Sequence, residues 1–160
     1  MIDFLTYLRR LFEYDRWANR EVLASLRRSG SAPERARRFL AHVVAVERLW
    51  LARLRQDGEA VTVWPELEID AIADGIEEVG RAWAEYLAGL NPGDLIRNVD
   101  YVNSRGERWS SAVREMIMHT LLHSSYHRGQ VAAELRRSGQ EPAYTDFIHA
   151  TRQGLVGRGA

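Results

Sequence analysis

Cysteine is absent from this 160-residue chain and so is lysine, since all 22 basic residues are arginine. Without cysteine the chain has no disulfide, no thiolate metal ligand and no cysteine nucleophile, so any thiol chemistry needs a thiol supplied from outside. Long apolar runs are also missing, and no basic-then-apolar leader is visible. From these absences we expect no membrane partner, no secretion and a cytoplasmic location.

An excess of charge of either sign is missing as well. The 22 acidic residues match the 22 arginines, and the arginines are spread along the whole chain. No basic field or stripe therefore favours a nucleic-acid partner. An apolar fraction of 46% and a charged fraction of 28% are typical of a globular protein. The length suits one domain, which we predict to span 1–160.

Four long stretches carry apolar residues at helical spacing, and each is bounded by turn or capping signals. We expect Asp3 to cap the first helix, a capping box at 31–34 to begin the second, and Ser110 or Ser111 to cap the last. The segment around 103–106 has the partial alternation and turn residues of a small hairpin. We predict an all-α fold, a four-helix bundle with a longer crossover and a small hairpin between helices three and four. The predicted helices cover about 3–29, 32–57, 70–90 and 111–137, followed by a C-terminal tail, 138–160, that packs back on the bundle.

The segment MHTLLHSSYHRGQ, residues 118–130, places His119, His123 and His127 four residues apart. On a helix each step turns the side chain by about 40°, so the three imidazoles share a face. Such a stack is core filler, a pH-sensitive patch or one wall of a metal site. A histidine pair four residues apart reaches one ion from the same side, and His42, in the middle of helix two, can supply a third ligand from a facing helix.

The metal interpretation has a free-energy argument behind it. An imidazole buried without a partner costs on the order of 1–3 kcal/mol, and coordination removes that penalty. Three neutral nitrogen ligands leave a coordination position open, which is the arrangement of a catalytic rather than a closed structural site. Imidazole suits several transition metals, so we expect one divalent ion, zinc or nickel first, with iron and manganese as further candidates.

Other polar residues are weaker candidates for roles in a site. Arg128 suits an anionic substrate or, equally, an interhelical salt bridge. Glu47 and Asp146 are the nearest candidates for a general base. Gly129 lies within the last helix, where we expect a close helix contact in preference to room for a ligand.

Three stretches of the chain carry a resemblance to a known family. They are YDRWANREVLASL (14–26), AHVVAVERLWLARL (41–54) and HTLLHSSYHRGQVAAELRRSGQEPAYTDFI (119–148). The chain resembles the DinB-like (DinB/YfiT) metal-binding four-helix bundles. That resemblance implies a metal bound by His42, His123 and His127, with His119 orienting a ligand or serving as an alternative one. It also implies a homodimer and, as in some members, a low-molecular-weight thiol as cosubstrate.

Two functions follow from this site. The first is a metal-dependent enzyme, a hydrolase or a thiol-dependent transferase, that acts on a small-molecule substrate. The second is a non-catalytic metal-binding or stress-response protein, for which we expect saturated coordination, with His119 as a fourth ligand, and no accessible pocket. Nucleic-acid binding is a third hypothesis, and the neutral charge argues against it.

Overall fold

Four long helices form a bundle in the computed structural model, which describes residues 3–28 and 30–157. They are α1 (Phe4–Arg28), α2 (Glu34–Arg55), α3 (Ile69–Ala88) and α4 (Val113–Arg137). Helix α4 packs chiefly on α2, and α1 packs chiefly on α3. The predicted fold class is therefore confirmed, including the hairpin in the connection between α3 and α4.

Helical periodicity explains the core, because each helix buries one apolar stripe against its neighbours. In α1 this stripe includes Leu8, which is fully buried, and Phe12, whose ring stacks on Trp83 of α3 at a centroid distance of 4.4 Å. The Trp83 indole N–H donates to the Glu47 carbonyl oxygen, so the aromatic residue also joins α3 to α2.

The connection after α3 contains a 3₁₀ helix, Pro92–Ile96, and an antiparallel pair of strands, β1 (Asn98–Val102) and β2 (Arg108–Ala112). The turn between the strands is held by the Asn103 Oδ1 atom, which accepts from the backbone N–H groups of Arg105 and Glu107. Gly106 supplies the positive φ of 79° that the turn requires. The hairpin therefore lies where the sequence predicted it.

The predicted N-terminal cap is right for α1, whereas the caps predicted for α2 and α4 are wrong. Asp3 caps α1 as expected, since its Oδ1 accepts from the Thr6 N–H at 3.0 Å. The predicted capping box is absent, because α2 begins at Glu34 after Pro33, which has no capping side chain. Helix α4 begins at Val113 because β2 continues through Ala112; the serines predicted as caps, 110 and 111, lie in that strand. The predicted last residue of the first helix, position 29, lies outside the described residues.

The C-terminal segment packs back on α1, as predicted. It contains a short helix, α5 (Phe147–Arg152). The Tyr14 hydroxyl donates to the Thr145 carbonyl at 2.6 Å, and Arg10 Nε donates to the Gly157 carbonyl at 2.9 Å. No helix among the described residues is long and apolar enough to cross a membrane.

Candidate metal centre

Helices α2 and α4 bring three histidines to one point. His42 comes from α2, and His123 and His127 come from successive turns of α4. One ring nitrogen from each of the three lies within 4.8 Å of the others. The ring centroids of His42 lie 5.0 Å from His123 and 4.5 Å from His127. The structure thus joins the histidine pair on one helix to the single histidine on the facing helix.

Hydrogen bonds fix the tautomers of two of these rings. His42 Nδ1 lies 2.5 Å from the Val63 carbonyl oxygen, and His127 Nδ1 lies 2.5 Å from Gln130 Oε1. Both oxygens only accept, so each Nδ1 carries the proton and each Nε2 keeps a free lone pair. Metal-ligating histidines commonly hold their second ring nitrogen in this way.

His123 has no such partner. Its Nδ1 atom is buried without a hydrogen bond among the described residues. Burial, followed by the neighbouring imidazoles of His127, His42 and His119, lowers the pKa of His123 to about 3. Burial is also the largest cause that lowers the pKa of His42 and of His127. All three rings are therefore neutral near pH 7, and an orphaned ring nitrogen lies among them, so the donor set fits a divalent transition metal.

His119 lies outside this group of ligand atoms. Its side chain is exposed, its ring centroid is 5.7 Å from that of His123, and it contacts Trp50 at 4.6 Å. Neighbouring side chains still shield part of the ring from water. This partial desolvation, followed by the charge of Arg53, lowers the pKa of His119. It continues the line of histidines by one helical turn beyond the three-nitrogen group.

Aromatic side chains surround the three histidines. The Trp64 ring stacks on His42 with 3.6 Å between centroids and an interplanar angle of 3°. Phe39 contacts His127, and Phe39 and Trp64 together line a pocket of about 330 Å³ with Arg35 and Arg38. Trp64 was not predicted as a site residue, because a tryptophan in a loop has no periodicity that relates it to a site.

A buried polar network lies beside the centre. Glu47 is 3% exposed, and its Oε1 accepts from Asn19 Nδ2 at 2.9 Å and from Ser124 Oγ at 2.8 Å. Burial first, and the nearby Asp15 carboxylate second, raise the pKa of Glu47 well above its usual value. Arg128 Nη1 donates to Asp15 Oδ1 at 2.5 Å and to Asn19 Oδ1 at 2.8 Å. Arg128 therefore forms the interhelical ion pair that was one of its two expected roles.

Asp15, like Ser124, is a residue of this network that was not predicted from the sequence. It is only 2% exposed. The sequence did contain a clue to its burial. Asp15 follows the buried Phe12 by three positions on the same helix, so both side chains lie on the same face of α1.

The remaining predicted residues lie apart from the three histidines. Asp146 caps α5, where its Oδ1 accepts from the His149 N–H at 2.9 Å. A Cβ atom built on Gly129 meets nothing within 4 Å, so the close helix contact predicted there is wrong. Gly129 instead lies on an exposed part of α4 that borders a cavity.

Comparisons with known proteins agree with this geometry. The DinB family model matches residues 1–154. Protein DinB of Bacillus subtilis (strain 168) is 25% identical over 154 residues, which cover 86% of this chain and 90% of that protein. No solved structure matches the chain. Because the family match extends over nearly the whole chain, including all three histidines of the centre, the chain belongs to the DinB family.

Proposed function

We propose that the chain binds one divalent transition metal through His42, His123 and His127 and is a metal-dependent enzyme acting on a small molecule. The observation that carries the proposal is the group of three mutually close, neutral imidazoles. Two of them have their tautomers fixed by hydrogen bonds, and the third has an orphaned nitrogen. Imidazole ligands suit zinc, nickel, copper and iron, and of the divalent ions we propose zinc or nickel first, with iron and manganese as further candidates.

The ligand count supports a catalytic site over a structural one. Three protein ligands leave a position for water or substrate, and His119 lies outside the ligand group. When bound there, a divalent metal lowers the pKa of a coordinated water or thiol and so supplies a nucleophile near neutral pH. The chain has no cysteine, so a thiol would come from a low-molecular-weight cosubstrate. Hydrolysis and thiol transfer are the two reaction classes that this site supports.

Four side chains line a pocket beside the three histidines. Trp64 and Phe39 provide flat apolar walls, and Arg35 and Arg38 line the same pocket. We assign them the binding of a substrate with an apolar body and an anionic group, because guanidinium groups pair well with carboxylates and phosphates. This anionic group would compete with Glu66 for Arg38 and with Glu134 for Arg35. Glu47 holds Asn19 and Ser124 in place, and we assign it the positioning of α4 beside α2.

The non-catalytic alternative requires saturated coordination and a closed site. The position of His119 and the pocket formed by Phe39 and Trp64 favour the enzyme instead. The homodimer and the thiol cosubstrate stay predictions.

Two turnover assays test the proposal. The zinc- and nickel-loaded proteins are assayed for p-nitrophenyl acetate hydrolysis, and for conjugation of 1-chloro-2,4-dinitrobenzene with cysteine, glutathione or bacillithiol. We expect turnover in one assay that falls to the background rate in His123→Ala and persists in His149→Ala, since His149 lies in α5 outside the centre. Full metal loading with no turnover in either assay would instead support the non-catalytic alternative.

A further inference from the structure

A second cavity, separate from the metal centre, lies between α1, α4 and the C-terminal segment. Its volume is about 470 Å³, and none of the three histidines lines it. Small-molecule sites in proteins span roughly 300–1,000 Å³, so this volume is enough for a ligand of modest size. The exposed Gly129 borders the cavity and leaves space there that a larger side chain would fill.

The wall of this cavity contains a buried donor without an acceptor. Arg128 lines the cavity and is only 4% exposed. Its Nη1 atom donates to Asp15 and Asn19, but its Nη2 atom is buried and meets no hydrogen-bond acceptor among the described residues. A buried guanidinium N–H group without an acceptor raises the free energy of the folded protein. A ligand oxygen that accepts from this group would therefore be bound favourably.

The other lining residues indicate what that oxygen belongs to. The Tyr14 ring centroid lies 5.7 Å from Arg128 Cζ, and Phe147 packs edge-on against Tyr14 at 5.0 Å. These rings and Ala132 give the cavity an apolar wall. Arg136, which lines the cavity and is exposed, forms no ion pair within the described residues and adds positive charge.

Charge limits the ligand to a single negative charge. Asp15 already balances one unit of the Arg128 charge, and Asp146 lines the cavity as a further carboxylate. Asp146 and the exposed Arg136 offset one another in the cavity lining, and the desolvation cost of an anion rises with the square of its charge, so this site favours a monoanion over a dianion such as a phosphate monoester.

We propose that this cavity binds a small monocarboxylic acid with an aromatic or aliphatic body. One carboxylate oxygen accepts from Arg128 Nη2, and the body packs against Tyr14, Phe147 and Ala132. Because Nη2 is covered by protein atoms, this contact requires a small shift of the cavity wall. This site is independent of the metal centre.

The test uses 3-phenylpropionate as probe and 3-phenylpropanamide, its uncharged counterpart, as control. Binding is followed by ¹H–¹⁵N NMR titration of the assigned full chain, both metal-free and zinc-loaded. Ala132→Leu narrows the cavity. Ala133→Leu is the matched control, because Ala133 is exposed on the next position of α4 and does not line the cavity. Gly129→Leu is a second filling variant, in case Ala132→Leu fails to fold.

We expect carboxylate-dependent shifts at Ser125, Ala132 and Thr145, with equal affinity in the metal-free and zinc-loaded proteins. Affinity should fall about tenfold or more for the amide and for the filling variants, and stay unchanged in Ala133→Leu. No binding at about 10 mM probe overturns the proposal. Chemical-shift changes centred on His123 and His127 would also overturn it. So would an affinity for the probe that is the same in the filling variants as in the parent, or an affinity for the amide that equals that for the acid.

Discussion

At the scale of single residues, the candidate centre depends on how each imidazole is held. Val63 and Gln130 fix the tautomers of His42 and His127, so the metal need not reorganise them. His123 is held by contact with the other two rings, and its pKa is about 3. The site is therefore already deprotonated before a metal arrives.

This protonation state predicts that metal binding releases few protons. At pH 6, three histidines with the ordinary pKa of about 6.5 would together release roughly two protons on binding a metal. Because the pKa of each ligand is lowered here, and that of His123 to about 3, we expect a release clearly below this value. Zinc titration calorimetry at pH 6, in buffers of different ionisation enthalpy, measures this number. A release near two would show that the histidines are ordinary, solvated groups.

At the scale of helices, two glycines that each lie within a helix behave differently. A Cβ atom on Gly75 of α3 would lie 2.8 Å from Val44 Cγ1 of α2, which is buried and stiff, whereas Gly129 of α4 has open space. Gly75→Ala should thus destabilise the fold by about 1–3 kcal/mol through overpacking. Gly129→Ala should stabilise it by about 0.5–1 kcal/mol through helix propensity. Urea unfolding of both variants tests the contrast, and equal effects would contradict the packing described here.

An ion-pair cluster joins α1 to α3. Glu77 accepts from Arg16 and Arg20 at 2.5–2.6 Å, and chiefly the Arg20 hydrogen bond lowers its pKa to about 2. The folded-state pKa is below the ordinary value of 4.5, so this stabilisation is complete above pH 4.5 and is lost as pH falls toward 2.

Glu77→Gln should therefore cost about 0.5–1 kcal/mol at pH 7, a small value because the side chain is 46% exposed. The cost should disappear toward pH 2. Urea unfolding from pH 7 to pH 3 follows the difference between variant and parent. Glu78→Gln, which breaks a single pair with Arg48, is the matched control and should cost less. A cost of Glu77→Gln that does not change with pH would contradict the argument.

Sequence periodicity located these helices to within a few residues, because the spacing of buried apolar side chains is a local property. The predicted ends of helices were wrong where a contact with a neighbouring segment of the chain determines the end. Helix α4 starts at Val113 because β2 runs through Ala112, and α2 ends at Arg55 with the left-handed Gln56, before the predicted last residue at position 57. Trp64 stacks on His42 only through the path of a loop, which no local pattern describes.

At the scale of the whole molecule, α4 contacts both sites. One face carries His123 and His127 toward α2, and the residue after His127, Arg128, turns toward α1 and the second cavity. The spacing of the histidines on α4 was visible in the sequence, and His42 was predicted as their third partner from its place in the middle of helix two and from the family resemblance, but the distances among them needed α2 placed beside α4. The buried contacts among Asp15, Asn19 and Glu47 needed the packed bundle to be seen.

Elemental analysis of the purified, untagged protein tests the central claim most directly. We expect about one equivalent of a divalent transition metal after loading and desalting. His42→Ala and His123→Ala should lose it, because each removes one of the three ligands, whereas His149→Ala should retain it. A parent protein that retains no metal, or variants of His42 and His123 that retain as much as the parent, would contradict the three-histidine centre.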